Sequence, residues 1–147
     1  MNKKVWIGFI AVFVVSIVLD FIIHGVLFKS MYTWLMTERV GLFRPEEDNK
    51  MYIYFINGLF FSFFFTFIFS KGYEGKGLME GLRYGFYVAM MVCVPYAYGE
   101  YAMHPIPYSV AFKWFAAGTI EYLILGAVLA LIFGKQARVV PAAASPT

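Results

Sequence analysis

Hydrophobic residues along the chain fall into four long runs that are separated by short polar segments. A helix needs roughly 20 mostly apolar residues to cross the hydrocarbon core of a bilayer, and each run reaches that length. The runs lack the polar–apolar alternation of strands in a membrane barrel, and lipid tolerates no open sheet edge. We therefore predict four membrane-spanning helices, at about residues 5–28, 51–70, 77–99 and 109–133.

The polar segments between the runs indicate how these helices are connected. A glycine-rich segment at 71–76 joins the second and third helices, and Pro105 and Pro107 stiffen the short connection to the fourth. Short connections make consecutive helices antiparallel neighbours. The longer segment 29–50 is partly amphipathic and can lie flat at the membrane interface. The pattern predicts an all-α fold, a membrane-embedded antiparallel four-helix bundle with an interfacial segment between helices 1 and 2. We predict that the chain forms one domain over residues 1–138 and ends in a flexible tail at 139–147.

Composition supports lipid as the solvent of the chain. Hydrophobic residues make up 61% of it and charged residues only 14%, against roughly 25% charged residues in soluble domains. A soluble protein of this length has too much surface for its volume to bury so many apolar side chains. The net charge is +3 and the basic residues are scattered, which argues against nucleic acid as a partner and fits contact with lipid headgroups. Beyond lipid, the sequence indicates no cofactor.

Basic residues near the helix ends indicate the orientation in the membrane. Six lie on one predicted side and four on the other, and cytoplasmic loops carry the excess of lysine and arginine. We expect both termini in the cytoplasm, with the first run retained as a helix that also serves as the targeting signal. The six are Lys3, Lys4, Lys71, Lys76, Lys135 and Arg138, and the four are Lys29, Arg39, Arg44 and Lys50.

Several polar side chains lie within the spanning runs, where a charge costs roughly 2.5–3.5 kcal/mol at the bilayer centre. With both termini in the cytoplasm, all of them fall at mid-depth or in the outer half of the bilayer. One hypothesis is that they converge in a polar cavity, open to the outer side, that binds a small polar solute or passes protons. The alternative is a set of ion pairs and hydrogen bonds that only fix helix register. The residues are Asp20, His24, Asn57, Lys113 and Glu121.

Glycines at a spacing of four form a ridge on the third predicted helix, where Gly77, Gly81 and Gly85 follow one another. Gly118 offers a similar surface on the fourth helix. Small residues let two helices approach closely in lipid, so we predict that these glycines mediate helix packing. The partner helix lies in the same chain or in another one.

No motif with catalytic spacing is present, and the expected function is therefore non-catalytic. Our first expectation is an accessory or structural subunit of a larger membrane complex, whose partners are other membrane subunits or a second copy of the chain. A channel, transporter or binder for a small polar solute or proton is the alternative. A third is a cofactor-ligating subunit, with the His24 imidazole as the candidate metal ligand.

Two segments carry a resemblance to a known group of proteins. Residues 19–25, Leu-Asp-Phe-Ile-Ile-His-Gly, and residues 77–85, Gly-Leu-Met-Glu-Gly-Leu-Arg-Tyr-Gly, resemble those of small uncharacterised bacterial four-helix integral membrane proteins. The resemblance implies residence in the bacterial inner (cytoplasmic) membrane and implies no activity. The length is also similar to that of small multidrug exporters, but those carry a glutamate in the first helix, where this chain has Asp20.

Overall fold

Five α-helices make up most of the computed structural model, which describes residues 2–39, 41–44 and 46–134. They are α1 (Lys3–Asp20), α2 (Lys29–Glu38), α3 (Met51–Gly72), α4 (Leu78–Met103) and α5 (Tyr108–Phe133). The described residues contain no strand, so the all-α prediction is confirmed for them. The predicted tail at 139–147 lies outside the described residues, as do residues 135–138.

Three stretches of helix are long and apolar enough to cross a membrane: Lys3–Leu27, Met51–Gly72 and Tyr108–Phe133. This confirms the expectation of a helical membrane protein. Helix α4 has 26 residues but includes Glu80, Arg83 and Glu100, and it is not among the three. The fourth crossing therefore stays a prediction.

The first spanning stretch is not a uniform α-helix. It begins at an N-cap, where the Asn2 side chain accepts a hydrogen bond from the Lys4 backbone N–H. From Phe21 to Leu27 it continues as a π-helix, and the Phe28 N–H donates to the Ile23 carbonyl at 2.8 Å. A π-helix has a wider turn than an α-helix, and such turns are frequent at functional sites. The sequence pattern did not predict it.

Helices α4 and α5 pack with their backbones in contact. A Cβ atom on Gly81 would lie 2.1 Å from the Gly126 carbonyl oxygen, and one on Gly85 would lie 2.2 Å from the Tyr122 carbonyl oxygen. A Cβ on Gly118 would lie 2.7 Å from the Cys93 Sγ atom. Gly81, Gly85 and Gly118 thus face a helix of the same chain. Gly77 lies just before α4 and has a φ of 82°, a conformation that glycine adopts readily.

Helix α1 packs against α3 and α5. A Cβ on Gly8 would lie 2.9 Å from the Thr66 Cγ2 atom and 3.0 Å from the Leu129 Cδ2 atom, so α1 fits closely between its two neighbours. The Tyr84 hydroxyl joins α4 to α3 by donating to the Phe65 carbonyl at 2.6 Å. One apolar core fills this end of the molecule and consists of Val5, Val12, Phe65, Phe69, Leu125, Leu129 and Phe133.

Polar contacts close the same end of the molecule. The Lys4 ammonium donates to the Phe133 carbonyl at 2.6 Å. This contact places a cation at the C-terminus of α5 and joins the start of α1 to the end of α5. The buried Glu80 carboxylate accepts hydrogen bonds from the backbone N–H groups of Glu74 and Lys76, at 2.5 and 2.7 Å. Glu80 therefore holds the loop between α3 and α4 against the start of α4.

A second apolar core lies at the opposite end, where α2 folds back onto α4 and α5. Leu35 of α2 is fully buried there. The core consists of Met31, Leu35, Ala97, Ile106, Val110 and Trp114. The segment predicted to lie at the interface thus includes a helix that packs on the bundle.

Candidate functional site

A cleft of 270 Å³ lies between the two apolar cores, at the level where α1 passes into its π-helix. Helices α1, α4 and α5 contribute its walls, and Gly118 has no side chain to fill it. We call it the acidic cleft. It is lined by Asp20, His24, Val92, Cys93, Tyr96, Trp114, Gly118, Glu121 and Tyr122.

The acidic cleft brings together three of the five polar residues that the sequence singled out. Asp20 and His24 enter it from the first spanning stretch, and Glu121 enters it from α5. Asn57 on α3 and Lys113 on α5 are exposed and do not line it. The structure places all three lining residues in one space, and it places Asn57 and Lys113 on the outer surface.

A chain of polar side chains orients the imidazole of His24. The Trp114 indole Nε1–H donates to the Tyr32 hydroxyl at 2.9 Å, and that hydroxyl lies 2.6 Å from the His24 Nδ1 atom. Burial raises the pKa of Tyr32 far above its ordinary value, so the phenol keeps its proton. A hydroxyl that accepts from Trp114 and keeps its own proton can donate to Nδ1, and in that tautomer the ring proton of His24 is on Nε2.

The other nitrogen of His24 faces Asp20. Its Nε2 atom lies 3.9 Å from the Asp20 Oδ1 atom, one turn earlier on the same helix. This distance is beyond a hydrogen bond, so neither group satisfies the hydrogen-bonding capacity of the other. Both side chains are also partly exposed, Asp20 to 59% and His24 to 43%.

Glu121 is the acid in the middle of α5. Among the described residues, no side chain or backbone group donates a hydrogen bond to its carboxylate, and no basic group forms an ion pair with it. Such a group inside a membrane protein needs a proton, water or a ligand to offset the cost of its charge. The acidic cleft is the space in which such a partner fits.

Aromatic rings form much of the cleft wall. The Trp114 ring lies 5.8 Å from the Tyr96 ring and 6.5 Å from the Tyr32 ring, with the second pair nearly parallel. Tyr122 lines the cleft beside Glu121. The cleft therefore combines two acids with the faces and edges of aromatic side chains.

Metal binding has no support in the described part of the chain, where no group of three or more histidine, cysteine, aspartate or glutamate side chains is arranged to hold an ion. One nitrogen of His24 is engaged by Tyr32, and the other faces Asp20. Cofactor ligation by His24 would have to use the second nitrogen.

A wider depression of 610 Å³ on the outside of α2 is shallow and open, and Lys29 is its one charged lining residue among those described.

Reasoning from the sequence did not find the roles of Tyr32, Trp114 and Tyr96. Tyr32 and Trp114 are 82 residues apart, and nothing in their spacing links them. The available signal was position, since both rings fall where an interfacial helix and the outer end of a spanning helix would meet.

Comparisons of the chain with family models, curated proteins and solved structures find no match in any of the three.

Proposed function

We propose that the chain is an integral membrane protein that binds a small polar solute or a proton in the acidic cleft. The observation that carries the proposal is the convergence of Asp20, His24 and Glu121, from two different helices, on one open space. Charged groups at this depth are costly, and those that persist tend to line substrate or proton pathways.

A purely structural role for these residues has less support. Residues that only fix helix register are paired with each other in a dry core. Here the Asp20–His24 separation is 3.9 Å, Asp20 is more than half exposed, and Glu121 has no partner among the described residues. Their partners are better supplied by water, by protons or by a ligand.

The proposal includes four membrane crossings, with α4 as the fourth. Its 26 residues span about 39 Å at a rise of about 1.5 Å per residue, which exceeds the hydrocarbon thickness. Its charged residues lie near its ends, where they can reach the headgroups. Both termini would then lie in the cytoplasm of a bacterium, with the protein in its inner membrane.

Infrared difference spectroscopy during a pH titration tests whether the acids of the cleft exchange protons with bulk water. In lipid, the protein should show a protonated-carboxyl C=O band that grows on acidification and shifts in D₂O. Asp20→Asn and Glu121→Gln should each remove part of this band. Lys113→Gln, which changes an exposed charge on α5, should leave the band unchanged.

The opposite result would overturn the proposal. If both variants keep the full titrating band of the wild-type protein, neither acid exchanges protons. If these variants unfold, Asp20→Glu and Glu121→Asp, which keep a carboxyl group, decide instead, because a change in the titrating band in either variant assigns part of that band to the cleft.

An accessory or structural subunit is the second candidate, and the first half of α3 favours it. Residues 51–60 are exposed except for the partly buried Gly58, and Asn57 is a polar group on this uncovered apolar face. Polar side chains on a spanning helix often bond to another helix. Blue-native electrophoresis after mild solubilisation tests this candidate: comigration with other subunits supports it, and migration as a monomer contradicts it.

Cofactor ligation by His24 is the third candidate and has the least support.

A further inference from the structure

We infer that the ligand of the acidic cleft is a small organic cation, an amine or a quaternary ammonium ion, and that its entry releases a proton from the pair Asp20 and Glu121. The inference rests on the proposed function, because it names the class of solute that the same cleft takes.

The charges that line the cleft favour a cation as its ligand. Two carboxylates line the cleft, and its described lining contains no lysine or arginine, with His24 as the one basic side chain. Lys113, the basic residue of α5, is exposed and does not line the cleft. Two acids that share one confined space repel each other when both are ionised, and a positive partner offsets that repulsion. An anion would meet repulsion there, whereas a cation would be attracted.

The aromatic walls are the second argument, and they favour an organic cation over a metal ion. Tyr96, Trp114 and Tyr122 all line the cleft. Aromatic faces attract ammonium groups, tryptophan most strongly, and cages of such rings bind quaternary ammonium ligands. A metal ion would instead need several converging oxygen, nitrogen or sulfur ligands, and the described residues offer no such group.

The rings are held in place before a ligand arrives. The Trp114 indole is buried and donates a hydrogen bond to Tyr32, and the centroid of the Tyr96 ring lies 5.8 Å from that of Trp114. Side chains that are already ordered lose less entropy on binding. The volume of 270 Å³ lies near the lower limit of ligand pockets, at roughly 300 Å³, which suits a compact cation.

Proton release follows from the shared space of the two acids. Without a cation, a proton bound by one carboxylate offsets the repulsion between them. When the cation enters, its charge takes over that role, and the proton leaves to bulk water, so that one positive charge replaces another. The titratable groups around the two acids are His24 of the first spanning stretch, Tyr32 of α2, Cys93 and Tyr96 of α4, and Tyr122 of α5. Tyr54 of α3 lies within electrostatic reach of Tyr32 and Tyr96.

Calorimetry with two probes of equal shape tests the inference on the full-length protein in lipid nanodiscs. Choline carries a quaternary ammonium group, and 3,3-dimethylbutan-1-ol is its neutral carbon counterpart. Choline should bind at least about tenfold more tightly than the alcohol, because only choline gains the carboxylate and ring interactions. Titrations in buffers of different ionisation enthalpy should show release of a proton, and choline affinity should rise as the pH increases.

Variants assign the binding to the cleft. Glu121→Gln and Tyr96→Leu should each weaken choline binding by about tenfold, and Glu121→Gln should also abolish proton release. Lys113→Gln and Tyr101→Leu, which change exposed residues of the same two helices, should bind choline like the wild-type protein.

Each contrary outcome has a distinct meaning. Equal binding of choline and the alcohol, or binding that survives Glu121→Gln, overturns the cation inference. No binding of choline, while the infrared carboxyl band still titrates, also overturns it but leaves a proton site in place. A carboxyl band that titrates identically in the wild-type protein, Asp20→Asn and Glu121→Gln overturns the proposed function as well.

Discussion

Single glycines decide how closely α4 and α5 approach. At Gly85 an added methyl group would meet the Tyr122 carbonyl oxygen at 2.2 Å, and a backbone atom cannot rotate out of the way. Gly99 lies on the same helix and has nothing within 4 Å of the position that a Cβ would take. These two positions therefore separate the effect of space from the effect of helix propensity.

We expect Gly85→Ala to lower the free energy of unfolding by about 1–3 kcal/mol, because the two backbones must move apart. Gly99→Ala should change it by no more than about 0.5–1 kcal/mol, in the stabilising direction that helix propensity gives. Unfolding in mixed micelles of increasing denaturing detergent measures both. Equal effects of the two substitutions would contradict the packing described for α4 and α5.

Glu80 acts on the loop before its own helix. Its spacing from Arg83 suggests a pair within α4, yet its carboxylate accepts the backbone N–H groups of Glu74 and Lys76. The loop folds over the start of α4, and no pattern along one helix can show that. Next to it, the hydrogen bond from the Lys76 ammonium and its charge lower the pKa of the exposed Glu74 carboxyl.

We expect Glu80→Ala to cost about 1–3 kcal/mol, because the backbone N–H groups of Glu74 and Lys76 lose their charged acceptor. Glu74→Ala is the matched control, because it removes an exposed carboxyl of the same loop, and it should leave stability unchanged. Hydrogen exchange of the amides of residues 74 and 76 gives a local reading. Unchanged protection of both amides in Glu80→Ala would contradict the role assigned to Glu80.

At the scale of elements, the hydrophobic runs predicted α1, α3 and α5 because lipid, unlike water, lets a helix be apolar on all sides. The spacing of Gly81 and Gly85 likewise indicated a packing face, since helical periodicity depends on local sequence alone. The π-helix at Phe21–Leu27 and the docking of α2 depend on contacts between distant parts of the chain. For the same reason, the sequence offered Asp20, His24 and Glu121 as candidates but could not find Tyr32.

Helix α2 depends on Tyr32 for its polar attachment to the bundle. The Tyr32 hydroxyl contacts His24 of the first spanning stretch and Trp114 of α5, so one oxygen atom joins three elements. Tyr32→Phe keeps the ring and removes only that oxygen. We expect a loss of about 0.5–1.5 kcal/mol for each hydrogen bond, faster hydrogen exchange throughout α2, and a shift in tryptophan fluorescence as the Trp114 indole loses its acceptor.

Tyr52→Phe is the matched control, because Tyr52 is an exposed tyrosine on α3. It should leave both the exchange of α2 and the fluorescence unchanged. If Tyr32→Phe has no more effect than Tyr52→Phe, the apolar contacts of Met31 and Leu35 alone hold α2 on the bundle.

For the whole molecule, the relation of the two ends predicts a topology. The start of α1 and the end of α5 meet, since Lys4 contacts the Phe133 carbonyl. We expect reporter fusions at the N-terminus and at the C-terminus to be active on the same side of the membrane, the cytoplasmic side. Fusions that report opposite sides would require an odd number of crossings and would contradict the four-helix proposal.

We expect lipid to cover the outside of the helices and water to enter the acidic cleft. Neighbouring positions on α5 test both parts at one depth, because Glu121 lines the cleft and Ile120 is 57% exposed on the apolar surface. We would place Glu121→Cys or Ile120→Cys in a Cys93→Ala background and treat each protein, in lipid bilayers, with a water-soluble, membrane-impermeant thiol reagent. We expect rapid labelling at position 121 and none at position 120. Equal labelling at both positions, or labelling at 120 alone, would contradict it.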